Sequence, residues 1–578
     1  VAPGEEGGLV VDVLIKGGTV VDGTGAGARV ADVAITDGRI ERIAPDLSGP
    51  AGLVIDAGGQ VVAPGFIDLH THYDAQLLWD GGASPSPLHG VTTVIGGNCG
   101  FTIAPMAPEH ADYVRRMMAT VEGMPLSALE SGGDWDWRTF GQWLDRLEGR
   151  LVVNAGFLAG HSTIRRLVLG DAAVSAAATP DQVAAMIELL HQALADGALG
   201  LSSSNGPHVD GNGDPVPSRA ADHGELVALA GAVGDHPGTT LEFIPGMGEI
   251  GPEAADLMAD MSLAAGRPLN WNLLGNLSPT PIYAQQLTAS DRAAARGASV
   301  IALTLPDIMR MRSDGMLESL PGWAAFAALD LEGRRQVAAD PAARARLTES
   351  AGALAARGFG AAEAWDLIEV SAGEDGRSSP AVGRTVAELA AERGVAPLDV
   401  VIDDVYGNGL HLTLLFPSLE PQLGRSDAGW EARAAVWKDP RTVLGGSDAG
   451  AHLDLMCHAN YTTVVLGEAV RERRLLSVEE AVHQLTGVPA ALYGLTDRGT
   501  LAEGAHADVV VFDPDRVASG PTYVRRDLPG GGFRLYAESL GISHVLVNGT
   551  EVVTDGRFTG AKGGHVLRSG RDTQTVGI

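Results

Sequence analysis

Eight short apolar runs recur along this chain of 578 residues, each ending in small or polar residues: 62–72, 91–99, 151–161, 198–204, 239–245, 268–275, 298–305 and 442–448. Between them lie segments such as 180–196 and 220–233, whose apolar residues return every three or four positions. Short apolar runs bounded by turn residues read as buried strands, and a three-four period is the buried stripe of a helix. Parallel strands need a long crossover between them, so this alternation implies a parallel sheet, and eight units predict an α/β fold, a (β/α)8 TIM-type barrel. Such barrels carry their chemistry at the C-terminal ends of the strands. His70, His72, Cys99, His161, Glu242, Asn272 and Asp448 all fall at or near such ends.

The two ends of the chain resemble each other. Residues 9–60 hold short β-like runs broken by Gly18, Gly23, Gly38 and Gly58, and residues 498–569 hold the run 507–512 and the run 542–547 before the hairpin signal Asn548-Gly549. They are expected to pair into one small β-sandwich domain, 9–60 plus 498–569, beside a metal-dependent barrel over 61–497. Insertions at 104–149 and 306–441 interrupt the barrel. Excursions of that length on a functional face are expected to act as lids or substrate walls, with Trp135, Trp137 and Trp323 as their apolar surface.

Charge and composition exclude several classes of partner. A net charge of −31 disfavours nucleic acid and anionic membrane, which are polyanions. The two cysteines, Cys99 and Cys457, do not make a disulfide framework and suit a reducing compartment. With no apolar stretch near the roughly 20 residues of a spanning helix and no basic-then-apolar start, the expected location is cytoplasmic. A small molecule is then the expected partner, and homo-oligomerisation is left open. Only Lys16, Lys438 and Lys562 are present, none at the end of a central strand, so no lysine is placed to sit between two metals.

The first run ends in His70-Thr71-His72. Alternate residues of a strand share a face, so both imidazoles point the same way and suit one divalent metal. The preceding Pro64-Gly65 and the following Asp74 strengthen that reading. Asp448, closing the run 442–448, is suited to bind metal through one oxygen and to take a proton from bound water through the other; the alternative is a helix N-cap. Cys99, in a Gly-Asn-Cys-Gly turn facing the same mouth, reads as a thiolate ligand rather than a small buried hydrophobe, and thiolate favours zinc over magnesium or manganese. His161 is expected to orient substrate or a ligand, with a structural hydrogen bond as the alternative. His208, His223 and His236 show no ligand spacing and are expected at the surface.

These residues make the chain resemble the amidohydrolase superfamily, and within it the D-aminoacylase (N-acyl-D-amino-acid deacylase) family. The pieces that carry the resemblance are Gly65-Phe66-Ile67-Asp68-Leu69-His70-Thr71-His72, His89-Gly90-Val91-Thr92-Thr93 with Gly97-Asn98-Cys99-Gly100, Gly160-His161-Ser162-Thr163-Ile164-Arg165, Ser447-Asp448 and Thr486-Gly487-Val488-Pro489-Ala490. The resemblance implies metal-activated hydrolysis of an amide, with His70, His72 and Cys99 as ligands and Asp448 as ligand and general acid/base. Two strand-end histidines and a lysine of that pattern are absent, and Glu242 and Asn272 stand in their places. Glu242 is expected as a replacement ligand, giving His70, His72, Cys99, Glu242 and Asp448 as the metal set, one tight Zn2+ site and a doubtful second. The arginine that follows the aspartate in the family is replaced by Ala449-Gly450-Ala451-His452. His161, Asn272 and His452 are therefore the expected substrate-binding residues, and simple N-acetyl-D-amino acids are expected to be poor substrates. The alternatives are a cyclic-amide hydrolase and a catalytically degenerate barrel serving binding or assembly.

Overall fold

The structure, a computed structural model, describes residues 11–275, 282–305, 310–313, 317–318, 320–356, 365–410, 412–417 and 426–578. Residues 306–309, at the start of the expected second insertion, lie outside them. Each of the eight apolar runs contains a strand of a parallel sheet. They are β1 (Phe66–Asp68), β2 (Val91–Gly96), β3 (Asn154–Phe157) with β4 (Ala159–Gly160), β5 (Gly200–Ser204), β6 (Thr240–Ile244), β7 (Leu269–Trp271), β8 (Val300–Thr304) and β9 (Thr442–Leu444). β1, β2 and β3 pair in parallel, as do β4 to β9 in succession. Only Leu158 separates β3 from β4, and its N–H donates to Gly96 O at 3.0 Å. Nearly every residue of these strands is buried, as expected when both faces of a parallel sheet are covered, which is why the runs read as continuously apolar. The fold is thus mixed α/β with a second, terminal β region.

The expected single strand 62–72 is divided. Val61–Pro64 pairs antiparallel with Val509–Phe512, whereas β1 pairs with β2. Gly65 is the junction: its N–H donates to Asp508 O at 2.9 Å, and a Cβ there would meet the Thr92 side chain at 2.2 Å. A close approach of that kind admits only glycine.

Strands from both ends of the chain join one nine-stranded sheet, not the two separately bonded sheets of a sandwich. The reason is the length of Val11–Val20, which pairs in parallel with Ala51–Asp56 along its first half and with Val61 and Val62 near its end. Val33, Ile35, Val62, Val509, Val511 and Leu546 share one buried core in that sheet.

The insertions are built differently from expectation. Described residues of 306–441 include a three-stranded antiparallel sheet and a separate core holding Trp323, Val370, Val400 and Tyr406. Trp323 is fully buried there and donates to Leu347 O at 3.0 Å; Trp137 is buried in the main core and donates to Ile103 O at 2.8 Å, with Trp135 beside it. These indoles hold the insertions together and do not form a substrate wall. The insertion at 104–149 carries helix α1 (Ala111–Val121), whose buried face includes Tyr113, Val114, Met117 and Met118. No helix among the described residues is long and apolar enough to cross a membrane.

Candidate metal and catalytic site

The ends of β1 and β9 are bound to each other through Asp68. Its carboxylate accepts from the Ser447 amide at 3.1 Å and from the Ser447 hydroxyl, and burial pushes its pKa up to about 7. Beyond the strands, Asp448 N donates to His70 O at 3.1 Å, His72 N donates to Ala449 O at 2.7 Å, and Thr71 bridges Ala449 in parallel. This pairing presents His70, His72 and Asp448 side by side. Cys99 follows β2 on the same mouth with φ 60°, and Asp448 has φ 57° and His452 φ 47°. Non-glycine residues in that left-handed region are uncommon and are held there by their surroundings.

His72 Nε2 lies 3.1 Å from Asp448 Oδ1 and 3.9 Å from Cys99 Sγ, and His70 Nε2 lies 3.6 Å from Asp448 Oδ1 and 3.4 Å from Cys99 Sγ. Zinc bonded to nitrogen, oxygen and sulfur at about 2.0–2.3 Å sets tetrahedral ligands about 3.3–3.6 Å apart. The donor set therefore fits a divalent metal. Among the described residues, His70, His72 and Cys99 form one group with ligand spacing, and His72, Glu122 and Asp448 form another.

Electrostatics support the same conclusion. Burial and then the neighbouring His72 hold the His70 pKa down at about 3, leaving it a neutral imidazole with a lone pair. Burial alone would also lower His72, but Glu122 and Asp448 outweigh it and carry it to about 10. Burial would raise Asp448, yet the hydrogen bond and charge of His72 hold it well below the usual carboxylate range. Burial raises Glu122, Glu242 (to about 8) and the Cys99 thiol. Without a metal, His72 is thus held as an imidazolium among buried carboxyl groups, and a divalent cation bound there would take the place of that proton.

Other expected residues fall into different places. Glu242 is buried, but Oε2 accepts from Cys99 N at 2.8 Å and Oε1 accepts from the Asn272 amide, and it belongs to neither ligand group. Asn272 also donates weakly towards Cys99 Sγ at 3.9 Å. His161 is fully buried: Nδ1 meets Ser203 Oγ at 2.8 Å and Nε2 meets Glu225 Oε1 at 2.8 Å, where Arg165 Nε also donates at 2.8 Å. His452 is partly exposed with Nε2 4.0 Å from Asp448 Oδ2. His208, expected at the surface, is half-buried, edge-on to Phe101 at 5.4 Å.

Two residues escaped sequence reasoning. Asp68 sat inside the histidine motif without a visible role. Glu122, one acidic residue in an insertion, has no ligand spacing in sequence, yet its Oε2 is 3.4 Å from His72 Nε2.

Comparison with known proteins finds one family model and several relatives matched over nearly the whole chain. The model of the Amidohydrolase family matches residues 53–553. A D-aminoacylase of Alcaligenes xylosoxydans xylosoxydans is 30% identical over 561 residues, covering 96% of this chain and 97% of that protein. An N-acyl-D-aspartate deacylase of the same organism is 31% identical over 573 residues, covering 97% and 95%. The crystal structure of N-acyl-D-glutamate deacylase from Bordetella bronchiseptica, complexed with zinc and a phosphonate inhibitor, superposes with a TM-score of 0.60 at 25% identity, covering 97% of this chain and 100% of that one.

Proposed function

The chain belongs to the amidohydrolase family, and from that premise we propose that it is a metal-dependent hydrolase of the carbon–nitrogen bond of an N-acyl amide, with an N-acylated amino acid as the substrate class. The observation that carries this reading is the convergence of two groups at ligand spacing that share His72, namely His70, His72 and Cys99, and His72, Glu122 and Asp448. The full-length similarity to deacylases supports the substrate class.

In this reading the scaffold is a closed (β/α)8 barrel, supported by the Thr71–Ala449 bridge and the hydrogen bonds from Asp448 N and His72 N across the same seam. The terminal sheet is a second domain. His70, His72 and Cys99 on one side of the mouth and His72 and Asp448 on the other would hold the metal, and a thiolate ligand favours zinc. When bound, the metal would supply an activated water and a positive charge for the amide carbonyl. The Asp448 carboxylate then accepts the water proton and returns it to the departing amine. His452, partly exposed beside Asp448, faces the substrate where the family's arginine is missing, so a free substrate carboxylate is held less firmly. Glu242 and Asn272 brace the Cys99 turn. His161 acts through Glu225 and Ser203 as a positioning residue.

The test is metal analysis of protein purified without chelator, with assays on N-acyl-D-amino acids, N-acyl-L-amino acids and uncharged acylamides. Stoichiometric metal and turnover of one acylamide class, abolished by chelator, are expected. Metal-free protein whose turnover ignores chelator overturns the reading.

A further inference from the structure

Glu122 ends helix α1, in an insertion and not on a parallel strand, yet its carboxylate is buried against His72. Its position is built on both sides. Its N–H donates to Met118 O at 3.0 Å as the helix cap, and its carbonyl accepts from His452 N at 2.5 Å. The next residue, Gly123, has φ 55°, and a Cβ there would lie 2.7 Å from His452 Nδ1. The chain therefore needs glycine to turn away at that point, which leaves Glu122 facing inwards. His72 Nε2 is 3.4 Å from Glu122 Oε2 and 3.1 Å from Asp448 Oδ1, and the three ligand atoms lie within 4.8 Å of one another. The 3.4 Å between His72 and Glu122 is a separation that two ligands of one ion adopt, about 3.3–3.5 Å for nitrogen and oxygen, and the 3.1 Å to Asp448 is slightly shorter. Glu242 on β6, by contrast, accepts from Cys99 N and Asn272 and lies in neither group with ligand spacing.

We propose that Glu122 is a protein ligand of the metal that His72 and Asp448 would hold, supplied by the end of helix α1 and not by a strand of the parallel sheet. This rests on the metal-dependent reading above. It makes the insertion part of the metal centre, so metal retention depends on α1 being docked against the loop that carries Asp448 and His452.

The experiment is cobalt substitution of the full chain, with Glu122→Gln and Glu122→Cys compared with wild type. Affinity alone does not decide, because losing a group that merely orients a ligand also weakens metal binding, by about 10–100-fold. The readouts are therefore the visible cobalt bands and the near-ultraviolet thiolate-to-cobalt band, with far-ultraviolet circular dichroism as the folding check. Glu122→Gln should shift the visible bands and weaken cobalt binding at least tenfold, and Glu122→Cys should add thiolate-to-cobalt intensity to that of wild type. Wild type that takes up cobalt, with unshifted bands in Glu122→Gln and no added intensity in Glu122→Cys, overturns the role of Glu122 and leaves the proposed function standing. Wild type that takes up no cobalt overturns both.

Discussion

The two oxygens of Asp448 face different neighbours: Oδ1 looks at the two imidazoles, and Oδ2 looks towards His452 at 4.0 Å. Replacing it with Asn preserves shape but removes the carboxylate that the proposed function uses as proton acceptor. Turnover of a responsive acylamide should fall by roughly two to four orders of magnitude, as is usual for general acid–base groups, with an unchanged circular dichroism spectrum. Near-wild-type turnover would make Asp448 structural. The buried His161–Glu225–Arg165 group makes a stability prediction. Burial would raise the Glu225 pKa, but hydrogen bonds from His161 and Arg165 hold it below its ordinary value. A depressed folded-state pKa contributes stability that is present above the unfolded value, about 4.3, and is lost as pH falls through the folded one. Glu225→Gln should cost about 3 kcal/mol, the lower end for breaking a buried ion pair. It should also flatten that part of the acid limb of a melting-temperature profile. An acid limb identical to wild type would refute the assignment.

At the scale of elements, the junction between the terminal sheet and β1 is one residue wide. Gly65→Ala sets a methyl group 2.2 Å from Thr92 Cγ2 and Oγ1, so β1 or β2 must shift. Overpacking of this kind costs about 1–3 kcal/mol, and because β1 leads into His70 and His72 the metal should also be held less tightly. Equilibrium denaturation together with metal content checks this; unchanged stability would show that the two strands slide freely. Helix α2 (His161–Leu169) starts directly after β4, which is why the sequence order strand-then-histidine placed His161 at the right height but did not reveal that it points into the Glu225 network.

For the whole molecule, the two ends of the chain cover one another. Val61–Pro64 depends on Val509–Phe512, Ala155 N donates to His565 O at 3.0 Å, and Asn154 donates to Asp508 at 3.1 Å. Removing residues 498–578 would strip the core partners from Val33, Ile35 and Val62 and leave a bare strand edge. Such a truncated chain should be recovered as insoluble aggregate when expressed. A soluble, metal-retaining product would show that the parallel-sheet region stands alone.

The order of strands and helices, the candidate positions at the strand ends and the pairing of His70 with His72 were legible in the sequence. Those features are local: they follow from side-chain period, chain direction and turn residues over stretches of about ten residues. That Cys99 and Asp448 lie close to His70 was legible because strand ends of a parallel α/β fold face one way. Only the tertiary structure decided that Glu122 reaches His72, that Glu242 spends its oxygens on Cys99 and Asn272, and that Trp135, Trp137 and Trp323 turn into cores. Each of these depends on which surfaces meet across long sequence separation. An acidic residue in an insertion, or an indole on it, carries no periodic mark of the partner it will find.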